Sequence, residues 1–241
     1  MTWQTMGKLI NEVCVIVQAR TNSKRLPNKM LKSFSDSNLF DIALKKILSS
    51  SVIPKENFFA SLYDDDLKKV ATDNDVSIYH RSEKSVSESG DTRIVSEWYK
   101  ELPFKYYIIV NACCPLLSIQ TIDAFVKHFI DSDHDSLFAV IKKQTFFWGL
   151  DGEMTTKYPG TMDTKLVDAV YEAAHCLYAG NMSRIGQGIY LGNFTKNDPE
   201  LFVVEEKEVF DIDYGWQFDQ AEILYKHYEV NSEKLFLVPV K

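Results

Sequence analysis

The sequence predicts an α/β protein: a three-layer arrangement around a mostly parallel, twisted sheet. Three observations lead there. Continuous runs of β-branched and aromatic residues, at 13–17 and at Tyr106–Val110, have the character of strands buried on both faces. Stretches with apolar residues at helical spacing alternate with such runs, the rhythm of βαβ units. No internal repeat, low-complexity tract or linker interrupts the pattern, so residues 1–241 read as one domain.

Taken in order, the first strand (13–17) runs into a polar, basic loop at 18–28 that contains Pro27. Leu39, Ile42, Ala43 and Ile47 recur on one face of a helix spanning Leu39–Leu48. Phe58–Leu62 reads as a strand. Asp64, Asp65 and Asp66 then open a helix, because carboxylates suit its positive end. Residues 76–79 form a short strand and Tyr106–Val110 a buried one, followed by a turn at 111–118 and a helix through Ile122, Phe125 and Phe129. Residues 136–141 are a strand. From about 142 to 194 the rhythm breaks into an aromatic, turn-rich stretch expected to be an inserted lid or dimerisation segment, with one strand at 173–179 inside it. A strand at 201–205, the string Phe210-Asp211-Ile212-Asp213 and a helix from near Trp216 complete the chain. In parallel sheets ligands collect at the carboxyl ends of the strands, where the loops after Val17 and Val110 would both lie.

Composition narrows the function. A formal charge of −7 argues against indiscriminate binding to nucleic acid, which needs many clustered Lys and Arg. An anionic substrate must then be held by a local group of cations. Cys14, Cys113, Cys114 and Cys176 show no zinc spacing, and an adjacent pair does not readily bridge to itself. The doublet Cys113-Cys114 invites a nucleophile reading, but no Cys-His-Asn order supports it and buried packing is favoured. The first residues lack a basic start followed by an apolar stretch, and no apolar run is long enough to span a bilayer. A reducing cytoplasm and no membrane partner are expected.

Two motifs carry chemistry. The loop from Gln18 to Lys29 places Arg20, Lys24, Arg25 and Lys29 among small polar residues at a strand end, a setting suited to a triphosphate. The alternative is a solvated basic loop. It is not the glycine-rich G-x₄-G-K-[ST] phosphate loop, which has no match here. Near the other end, Asp211 and Asp213 alternate in an extended segment and so point to one side. Paired carboxylates of this kind suit Mg²⁺, which takes one or two of them plus substrate phosphates. Helix capping by Asp213 with Asp211 in solvent is the alternative.

The string VIVQARTNSKRLPNKML resembles the N-terminal signature of the acylneuraminate (CMP-sialic acid synthetase-like) cytidylyltransferase family, and the string around Asp211 and Asp213, followed by Asp219, Ala221 and Glu222, resembles that family's C-terminal one. Arg25-Leu26-Pro27 leans toward relatives that activate 3-deoxy-manno-octulosonate. The resemblance implies a nucleotide-diphospho-sugar transferase-like, Rossmann-type fold, a homodimer, and transfer of CMP from CTP to an acidic sugar with release of pyrophosphate, in surface polysaccharide or glycan biosynthesis. It implies Arg20, Lys24 and Lys29 as phosphate ligands and, with Asp213, as the catalytic set; Asp211 and Asp213 as Mg²⁺ ligands; and Ala19, Asn22, Ser23, Arg81, Asp91 and Asn111 as further nucleotide contacts. For Arg81 an exposed surface cation is the competing reading.

Asn111-Ala112-Cys113-Cys114-Pro115-Leu116-Leu117 stands where the sialate enzymes carry Q-x-T-S-P-L-R, so Leu117 replaces an arginine. Cys113 replaces the metal-binding Asp of the octulosonate enzymes, which favours the terminal Asp pair as the metal site. Lys142, His175 and Arg184 are candidates for the acceptor sugar, His175 also reading as a satisfied core residue. Two rivals remain at this point: a glycosyltransferase using a D-x-D pair, and a degenerate, non-catalytic nucleotide-binding member.

Overall fold

A computed structural model describes residues 7–88, 90–157, 159–186 and 199–230. In chain order its elements are β1 (Val13–Gln18), β2 (Ser33–Phe34), β3 (Ser37–Asn38), α1 (Leu39–Leu48), β4 (Phe58–Leu62), α2 (Asp65–Asp73), β5 (Ser77–His80), α3 (Glu83–Ser87), α4 (Thr92–Val95), β6 (Tyr106–Val110), α5 (Ile119–Asp131), β7 (Ser136–Lys143), β8 (Val170–Asn181), β9 (Glu200–Val203) and α6 (Gly215–Val230). The main sheet has seven strands in the order β5-β4-β1-β6-β8-β7-β9, and β2 and β3 form a separate small hairpin. Only β8 among the sheet's described strands runs against the rest, pairing antiparallel with both β6 and β7.

Burial explains why β1 is apolar at every position but its last. Val13, Val15 and Val17 face the helix-covered core with residues of α1, α2, α5 and α6, while Cys14 and Ile16 face a smaller cluster around Trp98, Tyr107 and Met182. Each fully buried valine or isoleucine contributes about 1.5–3 kcal/mol relative to exposure. Asn38 caps α1 by accepting from the Asp41 N–H at 2.9 Å, and Ser118 caps α5 through the Thr121 N–H at 3.1 Å.

β4 and β5 lie on one side of β1 and β6 on the other. The chain therefore reverses its direction of travel across the sheet between β1 and β6, and the loops after them diverge to leave a crevice. The stretch expected as an insertion over about 142–194 is partly core. Lys142 and Lys143 end β7, and β8 begins at Val170, so the irregular part between those strands is 144–169. The portion from 187 onward lies outside the described residues.

Candidate active site at the crevice between the first and sixth strands

The crevice is a cleft of about 450 Å³. Its lining comes from five parts of the chain: the β1 loop (Gln18, Ala19, Arg20, Ser23, Lys24, Arg25, Leu26, Lys29), the β5–α4 region (Arg81, Glu88, Val95), the end of β6 (Asn111, Cys113), Tyr178 of β8, and Asp213 before α6. Five Lys or Arg side chains border it, so the local field is positive although the chain as a whole is acidic.

The loop is held by its own residues and by one carboxylate. Asp64 accepts from the Thr21 N–H at 3.2 Å and from its hydroxyl at 2.6 Å. Read from sequence as a helix-start signal, Asp64 also ties the loop after β1 to the end of β4. Asn28 adopts φ 55° and donates its N–H to the Thr21 carbonyl at 3.0 Å, closing the turn that delivers Lys29. The Arg20 guanidinium donates to the Val86 carbonyl at 2.9 Å and the Glu88 carbonyl at 3.4 Å. Arg81, 7% exposed, donates to Ser85 Oγ at 3.0 Å and the Ser85 carbonyl at 2.7 Å, so it is no surface cation.

Lys29 joins the two ends of the chain. It is 8% exposed, and its ammonium donates to the Ile212 carbonyl at 2.5 Å and to Asp213 Oδ1 at 3.3 Å. A hydrogen bond from a charged donor is worth about 1.5–3 kcal/mol. Burial works against the ammonium, but the Cys113 sulfur and the Asp213 carboxylate outweigh it and raise its pKa. The other Asp213 oxygen takes Arg25 Nη2 at 2.6 Å, and the Arg25 guanidinium lies 5.3 Å from the centre of the Tyr214 ring. Gln217 accepts from the N–H groups of Asp213 at 2.7 Å and Tyr214 at 2.9 Å, so α6 is capped by Gln217 and the Asp213 carboxylate stays directed at the cleft.

Ile212 is fully buried between the two aspartates. Burial, and then Asp213, raise the pKa of Asp211. Asp211 receives the Asn111 amide at 3.4 Å, and that same amide donates to the His175 carbonyl at 2.9 Å. Asn111 is thus a hub joining β6, β8 and the acidic segment. Burial pushes the Cys113 thiol up to about 11, which fits a packing residue rather than a nucleophile. All four cysteines are buried and free.

His175 sits at a distortion. Between the pairs Val140–Ala173 and Phe138–Tyr178, β8 advances five residues while β7 advances two. The surplus forms a bulge in which His175 takes φ 52°, uncommon for a residue other than glycine. Its ring is exposed and accepts or donates at Nδ1 to Tyr178 Oη, 3.0 Å away, and Tyr178 stacks on Phe138 with ring centres 5.1 Å apart. The bulge turns a polar ring outward between the buried residues Ala174 and Cys176, beside the cleft residue Tyr178. Pattern reading saw the histidine but not the backbone that presents it.

Several expected residues are not brought to the lining. Asn22 is exposed on the outside of the loop. Asp91 caps α4, accepting from the Arg93 N–H at 2.9 Å, and ion pairing with the Arg93 side chain at 2.7 Å holds its carboxyl down at about 2. Arg184 is corrected most clearly. Because β8 is reversed, residues beyond Asn181 emerge beside Tyr106 at the amino-terminal edge of the sheet, where Arg184 pairs with Asp135 at 3.1 Å. Lys142 is exposed near the carboxyl end of β7, two strands from β6. Leu117, read from sequence as replacing an arginine, is 1% exposed in the core and does not border the cleft. The sequence reading also left unassigned Arg25, Tyr178 and Asp64. For Arg25 the signal was present in the cluster of basic residues.

Comparison with known proteins places the chain in a family. The profile of a family described as Cytidylyltransferase matches residues 14–236. A pseudaminic acid cytidylyltransferase from Campylobacter jejuni subsp. jejuni is 22% identical over 236 residues, covering 92% of this chain and 98% of the relative. Among solved structures, a CMP:2-keto-3-deoxy-manno-octonic acid synthetase complexed with CTP superposes with a TM-score of 0.67 at 11% identity, over 90% of this chain and 99% of the other. A cytidylyltransferase from Leptospira borgpetersenii serovar Hardjo-bovis gives a TM-score of 0.61 at 15% identity, over 95% and 99%. At such identities the structures speak for the fold.

Proposed function

The chain belongs to the cytidylyltransferase family and is a nucleotidyltransferase; from that premise we propose that it transfers CMP from CTP to a hydroxyl of an acidic sugar, a sialic acid-like nonulosonate or a related 2-keto-3-deoxy acid, and releases pyrophosphate. The observation that carries this reading is the meeting of Arg20, Lys24 and Lys29 with Asp213 in one cleft, although 184 residues separate Lys29 from Asp213. The name of the C. jejuni relative supports a nonulosonate acceptor. The family match disfavours a glycosyltransferase.

In this mechanism Arg20, Lys24 and Lys29 hold the β- and γ-phosphates and offset charge on the departing pyrophosphate, the contribution expected to dominate. The loop around Ala19 and Ser23, with Arg81 and Asn111, borders the rest of the nucleotide. The acceptor hydroxyl oxygen forms a bond to the α-phosphorus as the bond to the bridging oxygen breaks, and the hydroxyl proton passes to solvent. Two hard carboxylates beside a phosphate site are a donor set that fits Mg²⁺, so Asp211 and Asp213 would hold it. Bound there, the ion would supply charge neutralisation at the phosphate oxygens. Asp211, partly withdrawn from water and bonded by Asn111, fixes the position of that pair. His175 and Lys142 are assigned to the acceptor, His175 on the strength of its exposed ring beside Tyr178.

The described segment between β7 and β8 exposes Trp148, Leu150, Met162 and Leu166, which supports pairing of two copies through this arm. Free cysteines and the use of CTP support a cytoplasmic setting; no helix among the described residues is long and apolar enough to cross a membrane.

The test is pyrophosphate release from CTP and MgCl₂ with a panel of acidic sugars: N-acetylneuraminic acid, a pseudaminic-type nonulosonate and 3-deoxy-manno-octulosonate. Turnover with at least one acidic sugar is expected. Calorimetric CTP binding without turnover on any of them would favour the non-catalytic alternative.

A further inference from the structure

The two aspartates assigned to Mg²⁺ differ in what already occupies them. Asp211 receives the neutral Asn111 amide, whereas both oxygens of Asp213 face cations, Arg25 at 2.6 Å and Lys29 at 3.3 Å. A divalent ion approaching Asp213 must displace one of them or bear their repulsion. The two are not equally displaceable. Lys29 is buried and pinned to the Ile212 carbonyl at 2.5 Å. Arg25 has a side chain 53% exposed, on a surface loop, over the half-exposed Tyr214 ring. Arg25 also borders the cleft where the triphosphate would lie, and a guanidinium pairs with phosphate oxygens as readily as with a carboxylate.

We propose that Arg25 is a latch on the metal site: it holds Asp213 in the nucleotide-free protein, keeps the divalent ion off it, and passes to the phosphates when CTP arrives. The inference rests on the reading of Asp211 and Asp213 as metal ligands. Metal binding then becomes conditional on nucleotide, and by linkage the nucleotide gains affinity from the metal by the same factor. Tyr214 is the rest that holds the guanidinium in its closed position.

The experiment is a titration with Mn²⁺ as the probe, followed by the electron paramagnetic resonance of the free ion, on the full-length protein without nucleotide. Arg25→Gln is expected to bind Mn²⁺ about 5-fold or more tightly than the unaltered protein, a modest coupling of the usual size. Tyr214→Ser should move the affinity less, in the same direction. Adding Asp213→Asn to Arg25→Gln should abolish the gain. Unchanged or weaker Mn²⁺ binding by Arg25→Gln overturns the latch. A separate calorimetric titration of the unaltered protein with CTP distinguishes the two levels. Lack of CTP binding there sinks the proposed function, while the nucleotide-free Mn²⁺ arm judges the latch alone.

Discussion

The proposed nucleotide side of the cleft and its proposed acceptor side are made differently. On the nucleotide side, Arg20, Lys29, Arg81 and Asn111 are each tied to backbone carbonyls, and the loop that carries the first two is bonded to Asp64. These contacts tie the loops after β1 and β5 and the end of β6 to neighbouring backbone. On the acceptor side stand the only reversed strand among those described, a bulge at His175, and a turn-rich arm with apolar side chains in solvent. On the proposed reading, the contrast puts the phosphate chemistry in the sheet and its loops and leaves the choice of sugar to elements outside that frame.

The largest expected effect tests the rigid side. Asp213→Ala or Lys29→Met should lower kcat by at least about 10²-fold, the usual cost of one electrostatic stabiliser; near-normal turnover in either, by pyrophosphate release, would refute its role. On the adaptable side, His175→Ala should raise the acceptor KM about tenfold and leave the CTP KM within about twofold. Equal movement of both constants would erase the distinction between the two sides. The double variant Trp148→Ser, Leu150→Ser should raise the dissociation constant for self-association about tenfold by sedimentation, with CTP affinity intact, an energy of about 1.4 kcal/mol; no change would move the interface elsewhere. The smallest effect is thermal. Asp211→Asn removes a charge whose pKa is raised first by burial and then by Asp213, so above that pKa the ionised carboxylate costs stability. The variant should melt about 1–4 °C higher at neutral pH while losing activity. A lower melting temperature would show that the charge is better accommodated than its burial implies.

Much of the fold was legible because local periodicity reports burial. The all-apolar run in β1, the helical spacing in α1 and the run in β6 each match the strand or helix observed. The two ends of the site were legible because charge clusters and alternating carboxylates are local patterns. What escaped depends on direction and on distant partners. Nothing in residues 173–179 reveals that their strand runs backwards, and that reversal carries Arg184 to the wrong edge. Asp64 looks like a helix-start residue until Thr21 is brought beside it, and the task of Arg25 exists only once Asp213 and Tyr214 arrive. Leu117 reads as a lost site charge in a linear comparison, yet it faces the core.

The contact from the Lys29 ammonium to the Ile212 carbonyl has a bearing on how the protein comes into being. On the ribosome the basic loop is made before residue 212, so the Lys29 ammonium lacks this acceptor until that residue has followed. A nascent chain not yet extended past Asp213 therefore lacks both contacts that fix this cation, and the two ends of the cleft can close on each other only after that residue has been added.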